Sequence, residues 1–91
     1  MRADRQRLDK WLWFARFART RSLAARLVTD GFVRVNGQRA EAASKGLAVG
    51  DVVTVAAAHV TTAVRVLDLG QRRGPAEEAR RLYAEVGAGQ S

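Results

Sequence analysis

The first thirty residues carry two runs of hydrophobic positions with a helical period. In the first run, the residues that repeat at i, i+3, i+4 and i+7 are Leu8, Trp11, Leu12 and Ala15. This spacing places them on one face of a helix over residues 7–17, with that face turned to the core. A second helix is predicted from a cap at Thr20 or Ser22 to a stop at Gly31. Because the connection is short, the two helices should fold back on one another as a hairpin.

Beyond the second helix the period changes from helical to alternating. Val33 and Val35 face one side of a predicted strand, and Arg34 faces the other. The dipeptide Asn36-Gly37 follows directly and is a strong turn signal, since both residues tolerate positive φ. Further strands are predicted over residues 52–55 and 60–69. The chain should therefore contain a small β-sheet.

A third helical pattern follows the break between Gly70 and Gly74. Pro75 suits the first position of a helix. The apolar residues that follow at helical spacing are Ala79, Leu82, Tyr83 and Val86. The order of helix, helix, strands and helix is that of an α+β fold.

The length and composition fit one small domain. The chain has 91 residues and a mass of 9.9 kDa, enough for a modest core. Hydrophobic residues make up 47% of it, unlike the polar composition of disordered chains. We expect a single domain over residues 7–86, a flexible basic N-terminus over residues 1–6 and a flexible tail over residues 87–91.

The positive charge is confined to the first part of the chain. The formal net charge is +7, and residues 1–39 alone carry ten basic and three acidic residues. Residues 40–91 carry six of each sign. A field of one sign on one structural unit is typical of a surface that binds a polyanion, and nucleic acid is the leading partner.

The residues that catalysis or metal binding needs are largely missing. Cysteine is absent, His59 is the single histidine and the acidic residues are scattered among predicted caps and turns. We therefore expect no enzyme activity, no cofactor and no metal site. The charged N-terminus lacks the apolar core of a signal peptide, and no stretch reaches the length of a membrane span. These features favour a cytoplasmic protein that does not bind membranes.

Three segments resemble the S-four RNA-binding domain, which takes its name from the fourth protein of the small ribosomal subunit. They are RLDKWLWFARFARTRSLAARLV over residues 7–28, GFVRVNG over residues 31–37 and VGDVVTV over residues 49–55. Within that superfamily, DKWLW, ARTRS and QRRGPAEEARRLY look like the small stand-alone members of the fifteen-kilodalton ribosome-associated heat-shock protein family. The resemblance covers residues 5–86.

The resemblance implies a fold and a function. The fold is the αL RNA-binding motif, in which a helical hairpin packs on a small, mostly antiparallel β-sheet, here with a C-terminal helix. The bacterial family members bind ribosomal RNA on the large subunit and take part in the stress response. They act in recycling or rescue of stalled subunits that carry a nascent chain on tRNA. Longer members have an extended basic C-terminal tail, which does not follow the last predicted helix here, so contacts made by that tail stay open.

The candidate RNA-binding residues surround the helical hairpin and the strand after it. Arginine side chains near the turn lie where the unpaired N–H groups and the dipole of the second helix favour a phosphate. Arginine also offers a planar fork for phosphate, and hydroxyl groups add contacts to phosphate or sugar. The predicted set is Arg7, Lys10, Arg16, Arg19, Thr20, Arg21, Ser22, Arg26, Arg34, Asn36 and Lys45. The protein is expected to act as a monomer.

Alternatives remain open at this level. Trp13 and Phe17 lie away from the apolar face of the first helix and could stack on a base. Packing against the last helix, where Tyr83 needs a partner, is favoured. For the whole protein, the alternatives are an RNA-targeting accessory subunit of an RNA-modifying enzyme and a DNA-binding helix-turn-helix regulator. Structured RNA is favoured over duplex DNA because a compact basic hairpin suits recognition by shape, phosphates and 2′-hydroxyls.

Overall fold

The computed structural model describes residues 4–57 and 60–86, without the side chain of Ala57. The predictions for the tail over residues 87–91, for the first three residues and for His59 fall outside this part of the chain. The helices are α1 (Leu8–Phe14), α2 (Arg21–Thr29) and α3 (Ala76–Ala79), and a 3₁₀ turn follows over Arg80–Leu82. The strands are β1 (Gln6–Arg7), β2 (Val33–Val35), β3 (Gln38–Arg39), β4 (Gly46–Leu47), β5 (Val52–Ala57), β6 (Val60–Val66) and β7 (Tyr83–Glu85).

The helical hairpin forms as predicted, with a shorter first helix. α1 ends at Phe14 because Arg16 adopts a positive φ of 67°, which a continuing helix does not allow. Thr20 is the N-cap of α2, and its Oγ1 accepts a hydrogen bond from the N–H of Leu23 at 3.1 Å. Gly31, with φ 88°, ends the hairpin where the sequence predicts a stop.

Five strands form an antiparallel sheet in the order β3-β2-β5-β6-β7. The hairpin between β2 and β3 turns at Asn36 and Gly37, which have φ values of 53° and 86° and confirm the predicted turn. A separate pair of short strands joins β1 to β4, also antiparallel. The order of elements confirms the α+β fold, and Gln6 belongs to a strand although it lies in the N-terminus predicted to be flexible.

The last helix is shorter than the sequence predicts. α3 has four residues, and Tyr83 pairs with Val66 of β6 instead of continuing a helix. The helical prediction through Val86 was therefore wrong. Without β7, one edge of β6 would leave backbone groups unpaired, and Tyr83 in β7 also packs its ring 6.4 Å from that of Trp11. These tertiary contacts outweigh the local helical spacing.

The core lies between the helical hairpin and one face of the sheet. Trp11 is fully buried there, and its indole N–H donates to the Asp68 carbonyl at 2.9 Å. The buried valines of the sheet are Val33, Val35, Val53, Val55, Val64 and Val66. The intervening strand residues face outward and are exposed or half-buried. Among the described residues, no helix has the length and apolar character to cross a membrane.

Candidate nucleic-acid interface

A buried carboxylate joins the starts of the two long helices. Asp9, the second residue of α1, is 4% exposed. Arg7 donates to it through two atoms, from Nε to Oδ1 and from Nη2 to Oδ2, each at 3.1 Å. Arg21, the first residue of α2, brings its Nε to 3.8 Å from Oδ2, which is an ion-pair distance. We call these three residues, Arg7, Asp9 and Arg21, the Asp9 cluster.

Asp9 is ionised at neutral pH. Burial by itself would raise the pKa of Asp9, since a charged carboxylate is poorly solvated in the protein interior. The hydrogen bond and charge of Arg7, a 2.7 Å bond from the N–H of Lys10 and the charge of Arg21 outweigh that effect. The pKa of Asp9 therefore lies below its ordinary value, and the hydrogen bond to Asp9 raises the pKa of Arg7. With two cations and one anion, the cluster remains basic.

The backbone ties the Asp9 cluster to the loop that carries Lys45. In the pair of short strands, Arg7 lies opposite Gly46. The N–H of Leu8 donates to the Lys45 carbonyl at 2.9 Å. The side chain of Lys45 is exposed. The structure thus brings Arg7, Arg21 and the Lys45 loop together at the first turn of α1.

A cavity of about 430 Å³ is lined in part by the Lys45 loop. Its charged lining residues are Arg5, Arg39, Lys45, Glu41 and Asp51. Asn36 lines it too, but its carboxamide already accepts a bond from the Val52 N–H at 2.9 Å and donates to Asp51 at 3.2 Å. Asn36 therefore braces the turn between β2 and β3, with one amide hydrogen left for a ligand.

The N-terminus of α2 adjoins the Asp9 cluster because Arg21 is its first residue. The cap hydrogen bond uses an oxygen lone pair of Thr20 and leaves its O–H free to donate. Arg19, Thr20 and Ser22 are all exposed around this end. Unpaired N–H groups and the helix dipole favour an anion here, so the predicted residues of the turn surround a suitable place for a phosphate.

Arg16 contacts a different part of the molecule. Its Nε donates to the Gly74 carbonyl at 2.9 Å, and Arg73 in return donates to the Trp13 carbonyl at 3.1 Å. The guanidinium of Arg73 also lies 5.9 Å from the centre of the Trp13 ring. These contacts fasten the end of α1 to the segment before α3. Arg16 is thus engaged in the fold.

Arg26 and Arg34 lie outside the Asp9 cluster. Arg26 borders an apolar groove of about 360 Å³, where Leu23 and Phe32 are nearly half exposed. Arg34 lies on the outer face of the sheet, directly opposite Arg39 of β3. The candidate residues therefore occupy more than one surface of the molecule.

The aromatic side chains of α1 and the turn pack within the protein. Phe17 lies 5.2 Å from Tyr83 between ring centres, as the packing alternative predicts, although Tyr83 belongs to a strand. Trp13 is half-buried and lies 5.7 Å from Phe14. Lys10 holds its Nζ 5.7 Å from the centre of the Phe14 ring, so its stem follows α1.

Sequence reasoning missed the importance of Asp9. The signal was an acidic residue two positions after Arg7 within a strongly basic segment. Its burial and its contact with Arg21 depend on how the two helices pack, which residue spacing does not reveal. Arg5 and Arg39 were likewise missed as neighbours of Lys45 around the cavity. In the described part of the chain, no group of three or more His, Cys, Asp or Glu residues could hold a metal ion.

Comparison with known proteins agrees with this geometry. The S4 domain family model matches residues 6–53, which include both helices and the Lys45 loop. The solved structure of Vibrio cholerae heat shock protein 15, described as trimeric, superposes with a TM-score of 0.85. That structure is 42% identical, over 91% of this chain and 83% of the other. The chain belongs to the heat shock protein 15 family of S4-domain proteins.

Sequence similarity to curated proteins supports the same family assignment. Heat shock protein 15 homolog of Haemophilus influenzae is 40% identical over 80 residues, or 88% of this chain. The match is to 60% of that relative's length. Small ribosomal subunit protein uS4 of Xanthobacter autotrophicus is 37% identical over 86 residues, covering 92% of this chain and 39% of that protein. The chain thus spans about 60% of the heat shock protein it matches, and membership in this family supports RNA binding.

Proposed function

We propose that this protein binds structured ribosomal RNA of the large subunit, in recycling or rescue of stalled subunits that carry a nascent chain on tRNA. It acts in the cytoplasm as a non-enzymatic monomer in this proposal. The observation that carries it is the meeting of Arg7 and Arg21 at Asp9, beside the N-terminus of α2 and the Lys45 loop. The match to the S4 domain and to heat shock protein 15 supports the RNA and the ribosome as partners.

The cluster and its neighbours can bind a sugar-phosphate backbone. A phosphate at the start of α2 would accept bonds from free N–H groups and from the Thr20 hydroxyl. The side chain of Arg21 is 42% exposed and donates no hydrogen bond to the described residues, so its guanidinium donors are available to the same phosphate. Arg19 and Lys45, both exposed, would meet phosphates on either side. Such contacts recognise the shape and charge of RNA without reading a row of bases.

Arg16, Arg26 and Arg34 keep a secondary place in the proposal. Arg16 fixes the turn that presents Arg19, through its bond to Gly74. Arg26 and Arg34 are exposed and would contact RNA that extends past the cluster. Lys10, Ser22 and Asn36 complete the proposed set.

A filter-binding titration tests RNA binding. A structured fragment of large-subunit RNA is titrated between low and moderate salt. The logarithm of the affinity should fall linearly with the logarithm of the salt concentration, by about 0.7 to 0.9 per phosphate neutralised. An affinity that does not change with salt would refute the electrostatic mechanism.

Co-sedimentation tests the choice of subunit. Purified large and small ribosomal subunits are each centrifuged with the protein, with and without bound tRNA carrying a nascent peptide. The proposal expects the protein to sediment with the large subunit and more strongly with the tRNA-bearing particle. Equal recovery on both subunits would refute this part while leaving RNA binding in place.

The alternative that the resemblance to S4 domains implies is an RNA-targeting accessory subunit of an RNA-modifying enzyme. A stoichiometric complex with such an enzyme, recovered from cells at low salt and resistant to nuclease, would favour it. Recovery with ribosomal particles that nuclease disperses favours the ribosomal proposal.

A further inference from the structure

We infer that Asp9 is a positioning residue for RNA binding, whose buried carboxylate orients the guanidiniums of Arg7 and Arg21 toward a phosphate. This inference rests on the proposed function. It assigns to an acidic side chain a role in binding an anion. Its consequence is that removal of a negative charge from a strongly basic surface should weaken the attraction to RNA.

The first support is how completely the carboxylate is used. Oδ1 accepts from the Arg7 Nε and from the N–H of Lys10, and Oδ2 faces the Arg7 Nη2 and the Arg21 Nε. A buried carboxylate with this many partners has little freedom to turn. The guanidinium of Arg7, which donates two of these bonds, is therefore held in a fixed direction, and the Nε of Arg21 lies within ion-pair distance of the same carboxylate.

The second support is which edge of each arginine meets Asp9. Arg7 uses Nε and one terminal nitrogen, so its other terminal nitrogen stays available. Arg21 turns its Nε edge to Asp9 and keeps about two-fifths of its side chain exposed. A free arginine at a helix start samples many rotamers and would lose that freedom on binding a phosphate. Contact with Asp9 restricts the rotamers of these arginines before RNA binds.

The third support is that the cluster connects elements far apart in the chain. Arg7 ends β1, opposite Gly46 next to Lys45, and Arg21 begins α2. Asp9 therefore holds Arg7 and Arg21 close to each other, beside the strand pair next to which Lys45 lies. A bidentate phosphate contact tolerates only small errors in such positions.

The decisive experiment compares two substitutions that change charge equally. Asp9→Asn and Glu41→Gln each raise the formal net charge from +7 to +8. Glu41 is exposed and makes no ion pair or side-chain hydrogen bond within the described residues. We expect Asp9→Asn to weaken binding to a structured RNA fragment by about tenfold, and Glu41→Gln to leave it unchanged or strengthen it. Asp9→Asn binding as tightly as the wild type, or more tightly, overturns the inference.

A double-mutant cycle separates positioning from general damage to the fold. If Asp9 acts through Arg21, Asp9→Asn should lower affinity much less in the Arg21→Ala background than in the wild type. Equal losses in the two backgrounds would contradict the inference. The dependence of log affinity on log salt concentration gives a second readout. A lost phosphate contact should make this slope shallower by about 0.7 to 0.9.

Asp9→Glu covers the case in which Asp9→Asn fails to fold at the assay temperature. Glutamate keeps the charge and the acceptors but displaces the carboxylate by one methylene. Folding verified by circular dichroism with a clear loss of affinity supports positioning, and wild-type affinity overturns it. Should the wild-type protein itself not bind RNA, the proposed function fails, which this design distinguishes from failure of the Asp9 inference alone.

Discussion

Asp9 exchanges the hydration of its carboxylate for contacts with two arginines and a backbone N–H. Such an exchange stabilises a protein only while all the partners remain, because an unpaired buried charge is costly. The same side chain that organises the basic surface therefore also affects folding. Stability and RNA binding must be measured together for every change in this cluster.

The first prediction at the residue scale concerns acid. Folding lowers the pKa of Asp9 below its ordinary value of 3.8, so its stabilising contribution is fully present above that pH. The contribution is lost as the pH falls through the lower pKa of the folded protein. Urea unfolding between neutral pH and about pH 3 should show less acid-dependent loss in Asp9→Asn than in the wild type. Glu41→Gln should retain the wild-type loss, and identical curves for all three proteins would contradict the prediction.

The second residue-scale prediction contrasts the effects of two arginines of the turn, Arg16 and Arg19, on stability and on RNA binding. Arg16→Ala removes the bond to the Gly74 carbonyl and should lower the free energy of unfolding by about 1 kcal/mol. Arg19→Ala, at an exposed position, should change it by less than about 0.5 kcal/mol and mainly weaken RNA binding. Urea unfolding and filter binding on both variants check this. A larger loss of stability in Arg19→Ala than in Arg16→Ala would show the assignment to be reversed.

At the scale of elements, the short helices depend on their ends. α2 has nine residues, too few for a stable isolated helix, so its cap and its packing must both contribute. The end of the chain shows the opposite balance. Residues near Tyr83 have helical spacing, yet they pair with β6 because a neighbouring strand edge satisfies their backbone groups.

The cap of α2 gives the element-scale prediction. Thr20→Ala removes the acceptor for the Leu23 N–H and should cost about 1 kcal/mol in the free energy of unfolding. Thr20→Ser keeps the acceptor and should cost much less. Thermal unfolding followed by circular dichroism measures both. Equal losses in the two variants would show that the threonine methyl group, and not the cap, is responsible.

At the scale of the whole molecule, the basic residues are divided between the proposed binding surface and other surfaces. Lys45 lies next to the Asp9 cluster, whereas Arg65 lies on β6 opposite Val52 and Ala84, on the outer face of the sheet. The net charge counts Lys45 and Arg65 equally, whereas the proposed site includes only Lys45.

Lys45→Ala and Arg65→Ala therefore form a matched pair, since each removes one positive charge. We expect Lys45→Ala to make the slope of log RNA affinity against log salt concentration shallower by about 0.7 to 0.9, the value for one phosphate contact. Arg65→Ala should leave the slope unchanged. Equal slopes for the two variants would mean that general charge, and not the proposed site, attracts the RNA.

Light scattering tests the proposed monomer. The expected mass is the 9.9 kDa of a single chain. A mass three times larger would match the trimeric state of the Vibrio cholerae relative and would contradict the proposal.

The sequence by itself determined the elements whose signals are local. The Thr20 cap and the Gly31 stop of the second helix, the Asn36-Gly37 turn and the alternation of Val33 and Val35 all depend on neighbouring residues, and each was confirmed. The confinement of charge to the first part of the chain was likewise readable without a structure. Only the tertiary structure decided that Tyr83 joins a strand, that Arg16 bonds to Gly74 and that Asp9 is buried between two arginines. Those contacts join residues distant in the chain, and their free energies depend on packing that no local pattern encodes.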